Sequence, residues 1–233
     1  MSELLRVRVA AKRFGTTAVL RHIGLSVREG EIVALVGPSG CGKSTLLRII
    51  AGLDRDYDGE VVFAGTRQSG LNREIGFVFQ EPRLFPWLDV AANVAFGAAT
   101  ADTSRVSALL AEVGLGGRER ALPKELSGGQ AQRASIARSL NTKPRLLLLD
   151  EPFSAVDAFT RMKVQDLLVT VARQHASTLI LVTHDVDEAL FLADRVITIG
   201  AHPGVVPTRW MSGSPARATG ATGATGATRN SHG

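Results

Sequence analysis

The sequence predicts an α/β fold made of βαβ units, with a sheet covered by helices on both faces. Short apolar runs at 32–36, 75–79, 146–149, 178–182 and 196–199 are hydrophobic at successive positions, several on both faces, as strands buried on both sides require. Helical patterns begin after Gly42, after Ser127, near Ala158 and near Asp185, so strand and helix alternate. Of the 233 residues, 45% are hydrophobic, enough to fill an ordinary core.

In chain order, the run EIVALV ends in a glycine-rich turn and passes directly into the helical LLRIIAGL. The run 75–79 ends at a glutamine. The alternation then breaks from about Pro86 to Pro144, where Asp89 to Phe96, Thr103 to Val113 and Gly128 to Leu140 are helical patterns with no convincing strand between them. This stretch reads as a helical insertion, about 86–144, inside a domain covering 1–208. Strand, helix, strand, helix and strand follow it. From Arg209 the text becomes a repeating GAT triplet without apolar periodicity, so 209–233 is expected to be a disordered tail.

Composition excludes several classes. No window approaches the roughly 18 apolar residues of a membrane-spanning helix. The opening MSELLRVRVAAKRFG has charges where a secretory signal needs its apolar stretch, so a cytoplasmic location is expected. A single cysteine, Cys41, leaves no internal disulfide framework and no cysteine-rich metal site. The net charge of +5 owes three arginines, Arg209, Arg217 and Arg229, to the acid-free tail; residues 1–208 hold 24 basic against 22 acidic side chains. That near-neutral body lacks the electrostatic footprint of a nucleic-acid binder.

Gly37-Pro38-Ser39-Gly40-Cys41-Gly42-Lys43-Ser44-Thr45 satisfies GxxxxGK[ST] between a strand and a helix. Glycines let backbone N–H groups close around phosphate oxygens, and the helix start adds unpaired donors and a favourable dipole. Lys43 supplies positive charge for β- and γ-phosphates, and Ser44 a hydroxyl for Mg²⁺, a hard cation that prefers oxygen. Cys41 reads as a small residue tolerated in a tight loop. The acidic half of such a site is expected at a strand end, and Leu146-Leu-Leu-Leu-Asp150-Glu151-Pro152 provides it. Asp150 would hold the metal shell, and Glu151 would reach past it to orient or deprotonate an attacking water. Between the two lies Leu126-Ser127-Gly128-Gly129-Gln130, a helix start with a serine N-cap and two glycines that bare their N–H groups. It is a second anion site on the same chain, and one domain has no evident use for two.

The ordered set GPSGCGKST, Phe79-Gln80, LSGGQ, LLLLDEP, Ser154-Ala155-Val156-Asp157 and Val182-Thr183-His184-Asp185 closely resembles the nucleotide-binding subunits of ABC transporters, over about residues 3–200. The resemblance implies a P-loop NTPase with a mainly parallel core sheet, an N-terminal antiparallel β subdomain and the inserted helical subdomain. It implies ATP and Mg²⁺ as cofactors, with the metal near Ser44, Gln80 and Asp150. It also implies a homodimer, in which ATP on one chain's Gly37–Thr45 loop is gripped by the other chain's Ser127, Gly128, Gly129 and Gln130. Glu151, His184 and Gln80 would be the catalytic residues, His184 donating to the γ-phosphate, and Asp157 would link the two sites. The aromatic surface for adenine falls on Phe14 of Lys12-Arg13-Phe14-Gly15, where the family usually has tyrosine; the π-face is kept.

Gln80-Glu-Pro-Arg-Leu-Phe85-Pro86-Trp87-Leu88 looks like the branch that serves nitrate, sulfonate and taurine importers. By that resemblance two integral membrane permease subunits and an extracytoplasmic solute-binding protein are partners, and nucleic acid is not. Phe85 and Trp87 would meet a helix of the permease, placing the chain peripherally on the cytoplasmic face of the cell membrane. Branches importing thiamine precursors or other solutes share much of this text; a soluble ABC ATPase without a transport role is one alternative, and a catalytically dead ATP-binding partner, against which Glu151 and His184 argue, is another. After Gly200 the likeness fades, and helices usual in the branch are replaced by the triplet repeat.

Overall fold

The computed structural model describes residues 2–98, 102–154, 156–174, 177–200 and 203–205. The tail expected at 209–233 lies outside the described residues.

The chain opens with two long antiparallel strands, β1 (Glu3–Phe14) and β2 (Thr17–Arg28), and returns to them later with β4 (Asp58–Phe63) and the short β5 (Thr66–Arg67). Their order is β2-β1-β4-β5. The second sheet contains β3 (Ile32–Val36), β6 (Ile75–Val78), β7 (Leu146–Asp150), β8 (Thr178–Thr183) and β9 (Arg195–Thr198) in the order β6-β7-β8-β3-β9, every pair parallel. Helices are α1 (Lys43–Ile50), α2 (Val90–Ala95), α3 (Thr103–Glu112), α4 (Gly128–Asn141), α5 (Ala158–Gln174) and α6 (Val186–Leu192).

The three central parallel strands, β3, β7 and β8, are buried along their whole length, and their alternating side chains feed two separate cores. Ile32, Ala34 and Val36, with Leu147, Leu149, Leu179 and Leu181, face the layer of α2 to α6. Val33 and Leu35, with Leu146, Leu148, Ile180 and Val182, face α1 and the antiparallel sheet, where Leu5, Val7, Val9, Leu25 and Val27 meet them. Burying each such side chain is worth about 1.5–3 kcal/mol, so both layers are held mainly by this shared sheet. The antiparallel β-layer and the parallel sheet agree with the expected fold class. Strand 75–79 ends one residue earlier than its apolar run, at Val78.

Among the described residues, 86–144 contains only helices, a 3-10 turn at Pro123–Glu125 and connections. Three of its helices start on side-chain caps. Asp89 accepts from the Ala92 N–H, Asp102 from that of Arg105, and Ser127 from that of Gln130. The far end of α4 ties the insertion back to the segment after β6, because the Arg138 guanidinium donates to the carbonyls of Pro82 and Arg83 at 2.8 Å each. Asn93, fully buried, donates to the carbonyls of Phe85, Leu88 and Asp89 and accepts from the Phe85 N–H, so one side chain shapes the whole 85–89 turn. No described helix is long and apolar enough to cross a membrane.

Candidate functional site

The site lies at the C-terminal ends of three adjacent parallel strands. β3 delivers the glycine turn, β7 delivers Asp150 and Glu151, and β8 delivers Thr183 and His184. In an open parallel sheet this edge is where loops converge and ligands bind.

Glycine is required twice in the turn. A Cβ on Gly37 would come within 2.4 Å of the Ile199 carbonyl oxygen, and Gly42 holds φ +95° with Leu20 against it. Gly42 begins α1 without any side-chain cap, so the first N–H groups of that helix are left for a ligand. Ser39 and Gly40 are exposed and Thr45 half-buried, while Cys41 is buried and packs into the core under the loop. Lys43 is nearly inaccessible. Its Nζ donates to the Gly37 carbonyl at 2.7 Å and the Pro38 carbonyl at 2.9 Å, with Cys41 Sγ at 3.9 Å. The ammonium is thus held at the centre of the ring that the turn describes.

Ser44 Oγ donates to Asp150 Oδ1 at 2.7 Å, joining the start of α1 to the end of β7. Burial pushes the Asp150 carboxyl above its ordinary value, against the hydrogen bond from Ser44, with the neighbouring Glu151 pushing the same way. Glu151 adopts φ +43°, a left-handed conformation that costs a non-glycine residue about 1–3 kcal/mol, and its N–H is anchored on the Val182 carbonyl at 3.0 Å. That turn brings its carboxylate to 3.3 Å from His184 Nδ1; the imidazole itself is well exposed. Thr183 Oγ1 accepts from the Asp185 N–H, and Asp185 caps α6, which fixes the loop on either side of His184. Strained backbone therefore aims one carboxylate while its neighbour meets a hydroxyl.

Gln80 is exposed just beyond β6, the strand hydrogen-bonded to β7. Asp157 is exposed before α5, its carbonyl accepting the Arg161 N–H. Phe14 stands at the end of β1, about half exposed. Ser127 and Gly128 are exposed and Gly129 is buried at the start of α4. There Gln130 closes a reciprocal cap, its Oε1 accepting from the Ser127 N–H at 2.9 Å while its own N–H donates to Ser127 Oγ at 3.3 Å. Gln130 is engaged in holding the turn, which the Ser-x-x-Gln spacing signals. Among the described residues, the hydrogen bonds of the 127–130 turn stay within α4 and its flank, and none joins it to the 37–45 turn.

Sequence reasoning passed over three residues that shape these parts. Lys12 is buried beside Phe14, Asn93 organises the turn carrying Phe85 and Trp87, and Arg138 braces the segment after Gln80. Phe85 lies 5.5 Å from Trp87 and 4.5 Å from Phe96, centroid to centroid. Next to them a cleft of about 770 Å³ is lined by Phe79, Arg83, Phe96, Arg105 and Arg138 among others.

Residues 20–154 match the ABC transporter family. The chain is 61% identical over 209 residues to the aliphatic sulfonates import ATP-binding protein SsuB 1 of Xanthomonas axonopodis pv. citri, covering 87% of this chain and 83% of that protein. It is 55% identical over 211 residues to a protein of the same name from Pseudomonas aeruginosa strain UCBPP-PA14, covering 88% and 85%. Among solved structures it resembles the dimeric bacterial ABC transporter cassette MJ0796, with a TM-score of 0.79 at 32% identity over 90% of this chain and 98% of that one. The post-hydrolysis dimer of that cassette bound to ADP and Pi gives 0.75 at 31% identity, over 87% and 98%. The family match spans more than half of the sequence and the relatives share most of its length, so the chain belongs to the ABC transporter family.

Proposed function

We propose that the chain is the ATP-hydrolysing subunit that powers an importer for a small anion of the aliphatic sulfonate class. The observation that carries the chemistry is the pairing of Glu151 with His184 beside the Ser44–Asp150 bond, all at the mouth of the phosphate turn. The names of the relatives support the transported class.

In this reading the triphosphate lies on the N–H groups of Gly40 and of Gly42 to Ser44, and Lys43 turns from its loop carbonyls to the β- and γ-oxygens. Ser44 Oγ and the Asp150 carboxylate are hard oxygen donors that fit Mg²⁺, with Gln80 approaching from the neighbouring strand. Bound there, the ion would neutralise charge on the phosphate oxygens. Glu151 takes the proton of an attacking water as it approaches the γ-phosphorus, and His184 donates a hydrogen bond to the γ-oxygens as charge gathers on them. Phe14 stacks on adenine.

No described hydrogen bond joins the N–H groups of Gly128 and Gly129 to the 37–45 turn. Paired head to tail with a second copy, they would grip the γ-phosphate held by that copy, and Asp157 would report between the two sites. Phe85, Trp87 and the adjoining cleft would receive a helix of each of two membrane permease subunits, with a solute-binding protein delivering substrate outside. The chain would then sit peripherally on the cytoplasmic face of the membrane.

The test is growth on an aliphatic sulfonate as sole sulfur source in cells deleted for this chain. Complementation by the parent sequence and failure with Glu151→Gln is the expected result. Complementation by the Glu151→Gln chain removes the proposed base, and normal growth of the deleted cells removes the transport assignment.

A further inference from the structure

Lys12 is 2% exposed and the bulkiest fully buried side chain described. Lysine is almost never buried to this extent unless it is paired. Its Nζ donates to Asp54 Oδ1 at 2.9 Å and to the Asp56 carbonyl at 2.6 Å, with Asp56 Oδ2 at 3.4 Å. Those bonds account for the burial. They leave unexplained a further contact, in which the same ammonium stands over the ring of Phe14, 4.6 Å from its centroid.

The backbone is built to make that contact. Along β1, Leu5, Val7 and Val9 point inward on alternate residues, and an unbroken strand would turn Lys12 outward. The pairing of β1 with β4 slips between Val9 and Ala11, and its pairing with β2 slips between Lys12 and Arg13. Irregularities of this kind re-aim side chains. Here they send a charged residue inward beneath an aromatic one.

Asp54 lies in the turn that closes the phosphate-binding helix, four residues past Ile50. The N–H groups of Leu53 and Asp54 donate to the Arg48 carbonyl in the last turn of α1, at 2.9 and 3.1 Å, and Asp54 Oδ1 also accepts from the Asp56 N–H. Helix α1 therefore starts at Lys43 in the phosphate turn, and the turn that follows its last residue, Ile50, carries the carboxylate that holds Lys12. Eight residues of helix span about 12 Å, a fixed spacing between the two ends.

We propose that Lys12 is a positioning residue for the nucleobase. It holds one face of Phe14 against the C-terminal end of α1, so that the purine stacks on the opposite face at a set distance from the phosphate turn. A cation within about 6 Å of a ring is attracted by its π-density, which fixes the ring plane and draws that density away from the far face. A purine then meets a held and less electron-rich surface. The proposal rests on the reading of Phe14 as the adenine platform.

The test uses the full chain with three variants, Lys12→Met, Lys12→Arg and Phe14→Ala, and two probes, MgATP and inorganic triphosphate with Mg²⁺. Lys12→Met is expected to weaken ATP binding about 3- to 20-fold while triphosphate binding changes by less than about two-fold. Lys12→Arg restores most of the loss, and in turnover the effect falls on KM rather than kcat. A purely structural lysine would weaken both probes together, and that outcome overturns the proposal, as does unchanged ATP affinity in a folded Lys12→Met chain. If Lys12→Met does not fold, the double variant Lys12→Met with Asp54→Asn, which removes both charges of the pair, replaces it under the same criteria. Unchanged ATP binding in Phe14→Ala would bring down the platform reading itself; weakened binding there with no effect in Lys12→Met would remove the lysine alone.

Discussion

The turns at 37–45 and at 127–130 both open a helix with glycines, and they differ in what surrounds the exposed N–H groups. The first is enclosed. It holds a buried ammonium, has a serine hydroxyl bonded to a carboxylate, and faces a second carboxylate with its imidazole partner. The second carries no ionisable side chain of its own, and its one reciprocal cap serves to keep the backbone open. Chemistry is concentrated at one turn, and the other offers only directed donors. Such a surface is useful to an anion brought from elsewhere, which is why two unequal turns fit a head-to-tail pair better than a solitary chain.

Four substitutions separate the two turns, from the largest effect to the smallest. Glu151→Gln should lower ATP hydrolysis about 10²- to 10⁴-fold with ATP binding retained, measured by phosphate release and by equilibrium binding. Hydrolysis near the parent rate would show that the enclosed turn works without a base at this position. Lys43→Ala, by removing the charge at the ring's centre, should weaken MgATP binding about 10- to 100-fold; equal binding would mean the backbone donors suffice. Gly128→Asp places a negative charge on the open turn. It should reduce turnover roughly tenfold and abolish its dependence on protein concentration, while a single chain binds ATP as before. Loss of ATP binding by the isolated chain would instead put both turns on one molecule's nucleotide.

The smallest effect concerns Asp150. Burial raises its folded-state value above the ordinary 3.8, so folding favours proton uptake by this carboxyl relative to an exposed aspartate. The stability this contributes is present below 3.8 and is lost as pH rises through the raised value. Asp150→Asn should flatten that decline, seen as a shallower fall of the thermal midpoint above about pH 4 than in the parent. Parallel profiles for the two chains would contradict it. The 127–130 turn contains no group that could produce such a profile.

Much of this was legible because the informative residues are neighbours in sequence. The phosphate turn, the Leu146–Asp150 strand and the serine cap each declare themselves within ten residues, and the apolar runs name the parallel strands. What escaped depends on distance along the chain or on local irregularity. Lys12 is satisfied by carboxylates more than forty positions away, and it faces inward only because β1 slips in register. Glu151 needs a left-handed φ to reach His184, which no residue pattern announces. Asn93 and Arg138 act on backbone carbonyls, and those partners leave no trace in side-chain text.

The alternation of β3 between two cores has a consequence for how such chains can change. One added or deleted residue within Ile32–Val36 would trade Ile32, Ala34 and Val36 for Val33 and Leu35, so that each compartment received side chains shaped for the other. It would also rotate the exit of the strand and misdirect the glycine turn. The central strands are therefore free to exchange one aliphatic residue for another, while their length is frozen; insertions and deletions are confined to connections that no strand has to carry.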